Sequence, residues 1–91
     1  ASDVYKRQVK VLHNAVCREH IIMKVGNGPA SRQPVIEIAN LFRAKVVNVA
    51  ESRLMLELTG EPEKIDSFIG LLQPYGVKEI VRTGISALER D

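Results

Sequence analysis

Three side chains near the start of the chain are of types that bind transition metals. His13, Cys17 and His20 follow a His-x3-Cys-x2-His spacing, and imidazole and thiolate are common zinc ligands. A structural zinc site normally uses four protein ligands, and this spacing supplies three. We therefore interpret these residues as exposed loop side chains and expect no metal site. A metal-sensing domain is kept as an alternative hypothesis.

A glycine-rich turn is the second place where residue types indicate chemistry. Gly26-Asn27-Gly28-Pro29 follows a predicted strand over Glu19–Val25 and precedes a predicted helix, whose first N–H groups could bind an anion. Neither a GxGxxG pattern nor a Lys-Ser/Thr pair accompanies the turn, which disfavours dinucleotide and P-loop binding. The simplest interpretation is a connecting turn. Gly26, Asn27 and Gly28 are kept as candidate contacts for a small effector.

The residues that could act as acids, bases or nucleophiles do not form a recognisable catalytic set. His13 and His20 are the only histidines, and no Ser-His-Asp or Cys-His arrangement can be assigned to them. Five acidic residues are interpreted as outward-facing surface charges, namely Glu37, Glu57, Glu63, Asp66 and Glu79. We predict a binding or regulatory module rather than an enzyme.

These residues must be positioned by a central hairpin and two helices. Leucines alternate with other residues over Arg53–Thr59, which places all three leucines on one face of a strand. The β-branched run Ala44–Ala50 precedes it, and Glu51-Ser52 forms the turn. On either side, apolar residues with i, i+3, i+4, i+7 spacing predict one helix each, with the stripes Val35, Ile38, Ala39, Phe42 and Ile65, Phe68, Ile69, Leu72.

The predicted order is strand, helix, strand, strand, helix, strand, ending with Val77–Thr83 and a short tail over Ile85–Asp91. Right-handed crossovers and two helices on one sheet face give a ferredoxin-like (ACT-like) βαββαβ sandwich of the α+β class. In it Glu19–Val25 and Arg53–Thr59 are central strands, and the other two are edges. The uncovered face carries Ile22, Met55 and several valines, which predicts association with another sheet or subunit.

Composition limits the class of protein further. The chain has 91 residues, 45% of them hydrophobic, one cysteine and a formal net charge of +2. That charge is small, and the basic residues are scattered among acids, which disfavours a nucleic-acid partner. No apolar run approaches the ~20 residues that span a bilayer, and no signal peptide is recognised. We expect a soluble, cytoplasmic protein without nucleic-acid or membrane partners.

Four segments resemble the C-terminal domain of the small, regulatory subunit of acetolactate synthase (acetohydroxyacid synthase). The most specific is Gly76–Leu88, with its EIVRTG core, and the run Gln8–Leu12 is similar to the end of the ACT domain that precedes this domain in the family. We therefore expect a ferredoxin-like domain over residues 18–91, preceded by a tail, linker or ACT-domain remnant over residues 1–17. The other three segments are Arg18–Val25, Phe42–Val49 and Thr59–Phe68.

The resemblance implies a non-catalytic role. In this family a large subunit holds thiamine diphosphate, FAD and magnesium and makes acetolactate for valine, leucine and isoleucine synthesis. The small subunit raises that activity and confers inhibition by valine, which binds mainly through the ACT domain. We expect the present sequence to lack that domain. The chain itself is expected to hold no cofactor, to form a homodimer and to contact the large subunit. Candidate contact residues are Ile22, Met55, Arg82, Thr83 and Gly84. A free-standing ACT-like amino-acid sensor using Gly26, Asn27 and Gly28 is the other alternative.

Overall fold

The computed structural model describes residues 14–91 and confirms the predicted order of helices and strands. None of its helices is long and apolar enough to cross a membrane. The strands are β1 (Ala15–Gly26), β2 (Lys45–Val49), β3 (Arg53–Gly60), β4 (Val77–Arg82) and β5 (Ser86–Glu89); the helices are α1 (Arg32–Phe42), α2 (Pro62–Leu72) and a 3-10 turn at Gln73–Tyr75.

The sheet is antiparallel and has the order β2-β3-β1-β4, so the predicted central strands β1 and β3 and the predicted edges β2 and β4 are confirmed. Both helices cover the same face of this sheet. Phe42 at the end of α1 contacts Phe68 of α2, with ring centroids 5.2 Å apart. The result is the ferredoxin-like α+β sandwich that the hydrophobic periodicities predict.

Strict alternation in β1 and β3 builds the core. Six residues of these two strands are at most 3% exposed, and they pack against the apolar stripes of both helices. Burying such aliphatic side chains supplies most of the favourable free energy of folding. The six are Ile21, Met23, Val25, Leu54, Leu56 and Leu58.

Two sequence predictions at the ends of the domain are wrong. Residues 15–17, interpreted as loop, begin the long strand β1, and part of the supposed tail Ile85–Asp91 is strand β5. β5 pairs with the first four residues of β1, Ala15–Arg18, and the N–H of Arg90 donates to Asn14 O at 2.8 Å. These short pairings are held by backbone hydrogen bonds, which any residue can make, so the sequence pattern did not reveal them. We name the paired segments Ala15–Arg18 and Ser86–Glu89 the terminal ribbon.

Candidate functional site

The sheet face without helices, called the open face from here on, carries the first group of candidate residues. Ile22 of β1 and Met55 of β3 are half-buried on it, as the alternation predicts. Val81 of β4 is directly opposite Ile22 and is 64% exposed. Three neighbouring strands therefore present an apolar patch to solvent.

Two side-chain pairs lie on the open face beside this apolar patch. His20 Nε2 is 2.8 Å from Glu57 Oε2, and Lys24 Nζ donates to Glu79 Oε1 at 3.4 Å. Each pair joins β1 to a neighbouring strand. An apolar centre with charged neighbours is the composition of many protein–protein contact surfaces.

Arg82, a predicted contact residue, lies on the opposite, helix-covered face. Its Nε donates to Glu19 Oε2 at 2.9 Å, its Nη2 donates to the other oxygen of the same carboxylate, and Nη2 also donates to Asp66 Oδ1 at 3.2 Å. Glu19 is only 5% exposed, and burial of its carboxylate is unfavourable without a partner. The bidentate hydrogen bonds from the Arg82 guanidinium compensate this cost. Asp66 belongs to α2, and the three residues therefore join β1, β4 and α2.

The charge of Arg82 is secured by this arrangement. Hydrogen bonding to the Glu19 carboxylate raises the pKa of the Arg82 guanidinium above its ordinary value, against the opposing effect of partial burial. An arginine whose pKa is raised stays protonated throughout the practical pH range. The Glu19–Arg82–Asp66 network therefore joins β1, β4 and α2 through a guanidinium that stays charged.

Thr83 and Gly84 lie in the short connection between β4 and β5. Between the pairs Arg18–Ser86 and Ile21–Arg82, β1 contributes two residues and its partner contributes three. The N–H of Thr83 donates to His20 O at 3.0 Å, and the N–H of His20 donates to Thr83 Oγ1 at 3.2 Å. The φ angle of Gly84 is +86°, a conformation that favours glycine.

The five predicted contact residues therefore fall into two groups. Ile22 and Met55 lie on the open face, where a partner could reach them. Arg82, Thr83 and Gly84 lie where contacts within the chain are made: Arg82 binds Glu19 and Asp66, and Thr83 binds His20 and Gly84. Partner contact by any of the five stays a prediction.

The turn Gly26-Asn27-Gly28 is occupied by contacts within the chain. The N–H of Gly26 donates to Gly76 O at 3.1 Å, that of Asn27 to Ser52 O at 3.0 Å, and that of Gly28 to Ser31 Oγ at 3.1 Å. A carboxylate could use these three donors only by displacing existing hydrogen bonds. The idea that their N–H groups are free to receive an anion is therefore not supported by the geometry.

Asn27 is the buried centre of this turn, at 4% exposure. Its Nδ2 donates to Ala50 O at 2.8 Å, and its Oδ1 accepts from Arg32 Nε at 2.8 Å. It thus ties the β2–β3 turn to the start of α1, which is a structural role. Effector binding by Gly26, Asn27 and Gly28 stays an untested prediction.

The metal-ligand hypothesis does not fit the observed backbone. Cys17 and His20 both lie in β1, three residues apart, and therefore point to opposite faces of the strand. His20 is also engaged by Glu57. His13 lies outside the described residues. Within residues 14–91, no group of three or more His, Cys, Asp or Glu side chains is placed to hold a metal ion.

Glu19 is the important residue that the sequence interpretation missed. It is an even number of residues away from Ile21, Met23 and Val25 in the same strand, so alternation alone places it on the core face. A carboxylate there requires a partner, and Arg82 has the matching parity opposite Ile21. A charged residue at a core-facing position of one strand, with an arginine at a core-facing position of another, is the sequence feature that could have predicted this pair.

A ferredoxin-like sandwich with an apolar, ion-pair-flanked open face is an architecture typical of an interaction domain. The family model for the small subunit of acetolactate synthase matches residues 18–91. The chain belongs to this family, as its resemblance in four segments predicts.

Individual relatives agree with this assignment. The acetolactate synthase small subunit of Mycolicibacterium smegmatis is 43% identical over 77 residues, which cover 85% of this chain and 45% of that protein. The Bacillus subtilis small subunit is 41% identical over 88 residues, covering 97% and 51% respectively. The crystal structure of the small subunit from Thermotoga maritima superposes with a TM-score of 0.79 at 30% identity, covering 98% of this chain and 62% of that one. The chain spans about half the length of the curated relatives it matches.

Proposed function

We propose that this chain acts as a regulatory, non-catalytic part of acetolactate synthase, and that it binds the large catalytic subunit and supports its activity. The family match over residues 18–91 carries this proposal, because every relative described above is a small subunit of that enzyme. The reaction would then be an early step of valine, leucine and isoleucine synthesis, carried out in the cytoplasm. Thiamine diphosphate, FAD and magnesium would be held by the catalytic subunit.

The open face is the surface we assign to this contact. Ile22 and Met55 are half-buried and Val81 is 64% exposed, so docking would remove additional apolar area from water. The helix face is not available for this purpose, because its aliphatic side chains already form the core. The flanking pairs His20–Glu57 and Lys24–Glu79 would give the contact orientation and specificity rather than most of its affinity.

Co-purification with the catalytic subunit of the same organism tests the proposal. We expect the 91-residue chain to co-elute with that subunit and to raise its rate of acetolactate formation. Ile22→Lys should weaken co-elution and activation together, because it places a charge in the apolar centre of the open face. Leu41→Lys is the matched control, since Leu41 is an exposed apolar residue on α1, at 79% exposure. Absence of binding by the unsubstituted chain would contradict the function, and equal effects of the two variants would contradict the assigned face.

A further inference from the structure

A small depression lies on the open face where β2 and β3 meet their connecting turn. Its volume is about 150 Å³, and Met55 is among its lining residues. In the strand register, Lys24 of β1 and Asn48 of β2 lie opposite Met55 on its two sides. Arg53 is two residues before Met55 on the same strand and therefore faces the same way. Together with Ser52 of the turn, these residues surround an apolar floor with hydrogen-bond donors.

The charges of this depression are incompletely compensated. Of the two cations, only Lys24 has an ion-pair partner within residues 14–91, and its 3.4 Å contact with Glu79 is long for a charge-assisted hydrogen bond. The side chains of Arg53 and Asn48 make no hydrogen bond or ion pair in the described part of the chain. Glu51, in the β2–β3 turn, is the nearest acidic residue in sequence to this cluster.

We propose that this depression binds a small organic carboxylate that has a short aliphatic part and no ammonium group. The Arg53 guanidinium and the Lys24 ammonium would pair with the carboxylate, and the Asn48 amide would donate an additional hydrogen bond. The aliphatic part would lie on Met55, whose flexible thioether side chain adapts to small apolar groups. An amino acid would be disfavoured, because its ammonium would come close to two cations. This depression shares Lys24 and Met55 with the contact surface of the proposed function, but carboxylate binding to it can be measured on the chain alone.

The test is an NMR titration of the full 91-residue chain at fixed ionic strength. Isovalerate and valine form a matched pair of probes, since they share a carbon skeleton and differ by the ammonium group. We expect isovalerate to cause saturable shifts at the amides of Asn48, Ser52, Arg53 and Met55, with a Kd on the order of 1 mM. Valine should bind roughly fourfold more weakly or worse, the factor that one like-charge contact near 5 Å gives in water.

Charge-removing variants decide whether the site is specific. Arg53→Gln and Lys24→Gln should each weaken isovalerate binding about tenfold, since each removes a charge-assisted hydrogen bond. Lys45→Gln is the control, because Lys45 is an exposed cation of β2 that pairs in register with Glu57 and does not line the depression. Preserved amide spectra would show that all three variants remain folded.

Three results would overturn the proposal. The first is an absence of saturable shifts with isovalerate, and the second is a Lys45→Gln effect as large as that of Arg53→Gln. The third is equal or tighter binding of valine. Inorganic phosphate is the additional probe: saturation by phosphate without saturation by isovalerate would reject the carboxylate as the ligand.

Discussion

The helix face and the open face of the sheet are formed by the same strands, yet they differ completely in how their side chains are used. On the helix face, Ile21 and Leu56 are fully buried, and the buried carboxylate of Glu19 is compensated by Arg82. On the open face, Ile22 and Met55 are only half-buried, and the His20–Glu57 and Lys24–Glu79 pairs remain accessible to water. A step of one residue along a strand therefore separates the core that stabilises the fold from the surface that is free to bind.

The largest effect should follow from comparing two neighbours on β3. Leu56→Ala should lower the free energy of unfolding by roughly 2–5 kcal/mol, because it removes buried methyl groups and leaves a cavity. Met55→Ala should cost less than about 1 kcal/mol, since Met55 points to the open face. Urea denaturation of both variants measures the difference. Similar losses for the two would contradict the assignment of the faces.

Removing an ion pair should also lower stability more on the helix face than on the open face. Arg82→Met leaves the buried Glu19 carboxylate without its main partner, which should cost about 2–3 kcal/mol. Lys24→Met, which removes the exposed pair with Glu79, should cost less than about 1 kcal/mol. Chemical denaturation measures both losses. In double-mutant cycles, Glu19→Gln should show a coupling energy with Arg82→Met and none with Lys24→Met. A loss of stability in Arg82→Met as small as that in Lys24→Met would contradict the interpretation that Arg82 compensates the buried Glu19 carboxylate.

Substitutions in the exposed apolar patch of the open face should have the smallest effect on stability but a clear effect on self-association. Without its partner the chain should self-associate at high micromolar concentration, because the patch around Val81 is apolar and exposed. Val81→Lys should raise the dissociation constant about tenfold or more, which corresponds to roughly 1.4 kcal/mol. Leu41→Lys should leave it unchanged. Sedimentation velocity distinguishes these outcomes, and a monomer at all concentrations would count against association through this face.

Most of the fold could be predicted from the sequence because its elements carry strong periodic patterns. The alternating leucines of β3 and the helical stripes of α1 and α2 gave the core, the strand order and the ferredoxin-like class. The terminal ribbon could not be found this way, because strand β5 has four residues and Leu88 within it is 79% exposed. Such a strand is specified by its partner's backbone and leaves little trace in a hydrophobic pattern.

The candidate site was less predictable than the fold. Ile22 and Met55 could be placed on the open face by parity alone. The contacts of Arg82, Thr83 and Gly84 within the chain could not be predicted from sequence, because they depend on the β4–β5 connection and on the carboxylate of Glu19, which is distant in the chain. The turn at Gly26 was correctly located, but the use of its N–H groups depended on acceptors in three other segments.

The length of β1 has a consequence for the order in which the native protein opens. β1 pairs with β3 over Glu19–Gly26 and also with β4 over Ile21–Val25, whereas over Ala15–Arg18 it is paired with β5 alone. Backbone amides of Ala15–Arg18 can become accessible to solvent when only the terminal ribbon separates. Amides of Glu19–Gly26 become accessible only when the core sheet is disrupted. A single unbroken strand therefore spans two units of local stability, and hydrogen exchange along it should slow from Ala15 toward Met23.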